Sequence, residues 1–203
     1  MRIPRMLRAG ALIAAAVVLG LLAVQGTYAL WNAGTSAAPG TVSSASFDVA
    51  LTASPSGQAT NMSLPGGTSA TINLGQPTSL APGTPAYASL VVGNNSNAGG
   101  TFSTSITAGQ AAVSNVGYGT LAQYVTVSAK FASATAECYA ATGYAALTAA
   151  GVTSGAVPKT ANTVLCLQVS LSSSTSMLLK GQAVNISLPL TARQLCGVPS
   201  GCA

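Results

Sequence analysis

The 203-residue chain holds no histidine and only two acidic residues, Asp48 and Glu137, against seven basic ones; 4% of its residues are charged and 49% are hydrophobic. Without imidazole, Ser-His-Asp and Cys-His catalysis, His-based zinc hydrolysis and proton shuttling near neutral pH are excluded. The positive balance does not point to nucleic acid, because Arg2, Arg5 and Arg8 crowd the start while Lys130, Lys159, Lys180 and Arg193 are scattered and form no phosphate-binding cluster.

Those three arginines precede an uncharged apolar run from Ala9 to Val24, the layout of a basic n-region and an apolar h-region. The run is short of the roughly 20 residues a membrane-spanning helix needs, and Gln25-Gly26-Thr27 ends it. Thr27-Tyr28-Ala29 then offers a cleavage site, so residues 1–30 read as a secretory signal peptide whose helix meets the membrane only in transit. An uncleaved helix tethering the chain to the membrane's outer face is the alternative. Residues 31–45, rich in Ser, Ala and Gly, read either as a flexible leader or as part of a strand, Trp31 to about Leu51, donated to a neighbour's sheet edge.

From Ser46 the apolar period is two. Phe47, Val49 and Leu51 predict a strand with one buried face, Ala70–Leu74 a short strand carrying Ile72 and Leu74, and Leu80–Pro85 a turn. Ala86–Val92 is strand-like and stops at Gly93-Asn94-Asn95-Ser96-Asn97; Thr101–Thr107 resumes with Phe102, Thr104 and Ile106 on one face. Leu121, Val125, Val127 and Phe131 alternate with Tyr124, Thr126, Ser128 and Lys130, which sends Lys130 to solvent. Glu137–Ala150 is alanine-rich and open to two readings, a short helix or an irregular excursion. Thr163–Leu171 and Ala183–Thr191 set Leu165, Leu167, Val169, Leu171 and Val184, Ile186, Leu188, Leu190 on core faces. About seven to nine such strands with Gly, Pro, Asn and Ser turns predict an all-β fold, one jelly-roll-like or Ig-like β-sandwich over residues 46–203.

Four cysteines in an exported chain read as disulfides. The short Gly- and Pro-containing segment between Cys196 and Cys202 closes at little cost, which favours Cys196–Cys202 and Cys138–Cys166. A zinc tetrad would want a close Cys pair, and there is none. Asp48 and Glu137 are far apart in sequence, and no serine stands three residues before any lysine past the signal, so neither paired-carboxylate nor Ser-x-x-Lys chemistry is in view. No catalytic residue, cofactor or metal site is expected.

Gly26-Thr27-Tyr28-Ala29-Leu30-Trp31 resembles the Gly-Thr-aromatic-Ala-x-aromatic signature of SipW-type signal peptidase substrates, a group that includes the TasA and camelysin family. Leu80-Ala-Pro-Gly83 followed by Ala88–Asn95 is similar to that family's Leu-x-Pro-Gly turn and following strand, and the resemblance covers the first half of the chain. It implies recognition by signal peptidase through Gly26, Thr27, Tyr28, Ala29 and Trp31, a jelly roll, and self-assembly, as a homopolymer or with a related subunit, into extracellular biofilm fibres. The four cysteines depart from the cysteine-poor members, and the protease activity described for camelysins does not carry over to a chain without histidine. The alternative is a monomeric surface binding or adhesion module using the Gly93–Gly100 loop and the segment around Tyr139 and Tyr144.

Overall fold

A computed structural model describes residues 46–62, 64, 66–75, 80–97 and 103–195, together with Ala16. The chain divides into two units between Ser43 and Ser44, and every described residue except Ala16 belongs to the second. Its described strands are β1 (Val49–Ser54), β2 (Ala59–Asn61), β3 (Ala86–Asn94), β4 (Ser103–Ala108), β5 (Ala112–Asn115), β6 (Val125–Ala132), β7 (Ala145–Ala146), β8 (Val152–Thr153), β9 (Val157–Pro158), β10 (Asn162–Leu171), β11 (Val184–Ser187) and β12 (Leu190–Leu195). The fold is an all-β sandwich of antiparallel sheets.

Alternation decides where each strand lies. Leu165 and Leu167 of β10 face the same way as Leu90 and Val92 of β3, Val127 and Ala129 of β6, and Val49, Leu51 and Ala53 of β1, and all are buried together. These strands form one layer in the order β2-β1-β3-β10-β6-β7. Ile106 and Ala108 of β4 join the same core from the second layer, where β12, β4 and β8 are neighbours and β9 also pairs with β4. β10 sits between β3 and β6, which precede it by many residues, with Leu165 opposite both Leu90 and Phe131. Its other face is covered as well. Val164 and Cys166 pack with Cys138, Val91, Ala132 and Tyr144 in a second, smaller cluster, so Val164–Leu167 is buried without a break.

The expected strand Ala183–Thr191 is instead two strands. β12 pairs with β4 as far as Ala108↔Leu190, and β11 with β5 from Ala112↔Ser187. Gly109, Gln110 and Ala111 therefore stand opposite Leu188 and Pro189, a bulge that bends and twists the ribbon. Pro189 has no N–H for a ladder, but its carbonyl accepts from Gly109 at 2.9 Å. Beyond the bulge, among the described residues, β5 and β11 pair only with each other, and Ile186 is exposed on a face expected to be core.

Other expectations shift for equally local reasons. Phe47 is 42% exposed: residues 46–48 run past the end of the β3–β10 pairing, held by Ser46 to Asn97 Oδ1 at 2.7 Å and Asn95 to the Asp48 carbonyl at 2.9 Å. Residues 70–74 form no extended strand. Gln58 Oε1 accepts from the Asn73 amide at 3.1 Å and Ser56 Oγ donates to its carbonyl, so side chains replace a ladder while Ile72 and Leu74 still pack on the core. Leu121 lies in a 3-10 turn, Leu121–Tyr124, ahead of β6. Residues 137–150 are an irregular excursion, containing most of the 3-10 turn Thr135–Tyr139 and the two-residue β7. The turn at Leu80–Pro85 is present, closed by Thr84 to the Ala81 carbonyl at 3.0 Å.

Candidate functional site

Strand parity places three of the chain's six tyrosines on or above one surface. Tyr87 precedes the core-facing Ala88 and Leu90 and so points to the outer face of β3, where Gln168 of β10 is its register partner and donates from Nε2 to the Tyr87 hydroxyl at 3.3 Å. Two places along the same face, Cys166 is bonded to Cys138. That disulfide holds the Thr135–Tyr139 turn against β10 and brings Tyr139 and Tyr144 over the sheet. The Tyr87 ring meets Tyr139 edge-on with centroids 6.1 Å apart and Tyr144 at 5.8 Å.

Lys130, on the outer face of β6 opposite Cys166, does not simply extend into solvent as its strand position suggests. Its Nζ donates to the carbonyls of Ala140 at 2.9 Å and Thr142 at 2.8 Å and lies 4.6 Å from the centre of the Tyr144 ring, a cation–π contact that fastens the excursion to the sheet. The Tyr144 hydroxyl donates to the Cys138 carbonyl. Burial first and the neighbouring Tyr87 second push its ionisation up to about 12. At the start of the turn the Glu137 carboxylate accepts from Ser133 Oγ and from the amides of Ala134 at 3.0 Å and Ser133 at 3.2 Å. The Ser133 hydroxyl, above all, holds its carboxyl below the usual range.

The cluster has no nucleophile with a base beside it. Its hydroxyls at 87 and 144 are engaged inside the chain, and Tyr139, 65% exposed, is the ring it presents outward. Such a surface can pack on a flat, weakly polar ligand. Tyr139 and Tyr144 were the residues singled out for contact from sequence; Tyr87, Gln168 and Lys130 were not. Only the opposite parity of Tyr87 and Lys130 to their strands' core residues hinted at a shared outer face.

The other sequence candidate, the loop beginning at Gly93, is largely spent on structure as far as it is described. Asn94 and Ser96 are buried, Asn94 Nδ2 donates to the Val157 carbonyl at 3.1 Å, and Ser96 Oγ donates to the Asp48 carbonyl and accepts from its amide. Gly26, Thr27, Tyr28, Ala29, Trp31, Cys196 and Cys202 lie outside the described residues, and with them the cleavage site and the second expected disulfide. No protein-family model, no curated protein and no solved structure matches this chain.

Proposed function

We propose that this is a secreted structural protein of the bacterial cell surface or biofilm matrix, processed by signal peptidase and assembling with itself or a related subunit into fibres by strand addition. The observation that carries the reading is the near absence of charge along open sheet edges. Among the described residues β12 pairs on one side only, with β4, and Arg193 is its one charged residue; β2 ends the other sheet with no charge at all. Proteins that stay apart commonly guard such edges with lysine, proline or inward charge. The donated segment in this scheme is residues 31–45, shorter than the Trp31–Leu51 arm read from sequence, because Val49, Ala50 and Leu51 pair with β2 and β3 of their own chain.

The decisive measurement is electron microscopy with sedimentation of the exported protein and of a variant lacking residues 31–45. Filaments from the first and monomers from the second, with equal thermal melts, are expected. A wild-type protein that stays monomeric at high concentration refutes assembly, and unchanged filaments from the deletion refute residues 31–45 as donor. Exposed Tyr139 over the Tyr87–Tyr144 pair favours a second reading, a surface module that packs its tyrosines on a polysaccharide. Retention on cell-wall polysaccharide that Tyr139→Ala reduces at least tenfold would support that alternative.

A further inference from the structure

Where β10 leaves the sheet at Leu171, the chain passes through Ser172–Ser176 into a one-turn 3-10 segment, Met177–Leu179, before β11. Met177 and Leu178 are each 90% exposed at this turn, where Ser176 Oγ accepts from the Leu178 amide at 3.2 Å and so closes the tip. Behind it, Leu80, Pro82, Leu121, Leu171 and Leu179 line an open apolar groove of about 360 Å³. Tyr118, wholly exposed, stands two residues from Thr120, whose amide is held by Gln182 Oε1 at 2.8 Å on the far side of the same turn. Lys180 follows the tip directly and also lines the groove.

Shape and charge choose the occupant. Side chains that protrude almost completely need a matching pocket on a protein partner, whereas a bilayer accepts a protruding methionine and leucine without one, with tyrosine and lysine at the polar boundary. The chain's two acidic side chains lie elsewhere: Asp48 is at the opposite end of β3, where its backbone carbonyl accepts from the Asn95 amide, and the Glu137 carboxylate is bound to Ser133 and Ala134. This end of the sandwich therefore carries a cation and neither carboxylate. We infer that the Met177–Lys180 turn is a membrane-docking tip that inserts Met177 and Leu178 into an anionic bilayer surface with Lys180 at the headgroups. The contact uses neither a sheet edge nor residues 31–45, so it is independent of fibre assembly.

A single tryptophan reads the tip directly, free of any contribution from the N-terminal segment. In the exported protein carrying Trp31→Phe and Leu178→Trp, vesicles of equal phosphatidylglycerol and phosphatidylcholine should shift the emission to the blue, and acyl-chain-brominated lipid should quench it. Added Lys180→Gln should weaken binding about fivefold, the worth of one cation near an anionic surface. In the Leu178 parent, Met177→Ser with Leu178→Ser should cut vesicle co-sedimentation at least tenfold while leaving the circular dichroism unchanged. Emission indifferent to vesicles overturns the inference. So does a blue shift without lipid that grows with protein concentration, since it would assign the tip to a second copy.

Discussion

Two buried hydroxyls beside β4 differ in what they cost. Thr104 is 0% exposed and its Oγ1 has no hydrogen-bond partner among the described residues, so Thr104→Val, which keeps the shape and removes the orphaned group, should raise stability by about 1–2 kcal/mol in urea unfolding. Ser154, in contrast, accepts from the Ile106 amide at 3.0 Å and donates to the Gly155 carbonyl at 2.7 Å. Ser154→Ala leaves that amide without its side-chain acceptor and should lower stability by about 1–2 kcal/mol. Tyr144 sets a pH limit. Its ionisation is raised to about 12 in the folded chain against about 10 when unfolded, so the folded state binds the proton more tightly. That contribution is fully present below about pH 10 and is lost as pH rises through about 12. Tyr144→Phe should flatten this part of the alkaline decline in a melt series, at a cost near neutral pH of about 1 kcal/mol for the hydrogen bond to the Cys138 carbonyl.

At the scale of elements, the Thr135–Tyr139 turn depends on a link rather than on its own helix. No side-chain cap supports its N-terminus apart from the Glu137 carboxylate reaching back, and short 3-10 segments have poor hydrogen-bond geometry. The Cys138–Cys166 bond spans 28 residues, and Cys138→Ala with Cys166→Ala should cost about 3–4 kcal/mol in the chain-entropy model. Amide exchange should quicken first in residues 135–146, because the tyrosine surface loses its anchor there while the main core keeps its own packing. Two left-handed glycines can be compared, Gly151 in the β7–β8 turn and Gly117 just after β5. Gly151 has φ +68° and a Cβ there would meet the Ala108 carbonyl oxygen at 2.6 Å, whereas Gly117, at φ +67°, has open space around it. Gly117→Ala should cost about 1–2 kcal/mol for left-handed backbone alone; Gly151→Ala should cost clearly more, since the β4 backbone must also move. Equal losses in matched denaturant titrations would contradict the crowding at Gly151.

For the whole molecule, the proposed assembly turns on edge chemistry, and it can be probed without touching the core. Thr191 is exposed on β12 and pairs through its backbone with Thr107. Thr191→Lys adds the charge that guards natural edges and should suppress filament growth while changing monomer stability by no more than about 0.5 kcal/mol. Suppressed filaments together with a lowered melt would instead mean that the substitution disturbs the sandwich.

The sequence by itself determined the strand class and most of the inward faces. Val49 and Leu51, Val127, Leu165 and Leu167 are buried where a period of two places them, and the Cys138–Cys166 pairing that the spacing of the four cysteines favours is present. It also settled what is missing, since a chain without histidine cannot acquire imidazole chemistry by folding. The tertiary structure decided what lies across from each face. Alternation says that one side of a strand is apolar and is silent about its neighbours, so the place of β10 between β3 and β6, its burial on both faces, and the meeting of Tyr87, Tyr139 and Tyr144 all depend on pairings between residues distant in sequence. The same gap explains Phe47 and Ile186. Each keeps the pattern of a core residue, but one lies beyond the end of the β3–β10 ladder and the other on a ribbon past a bulge that, among the described residues, has two strands only.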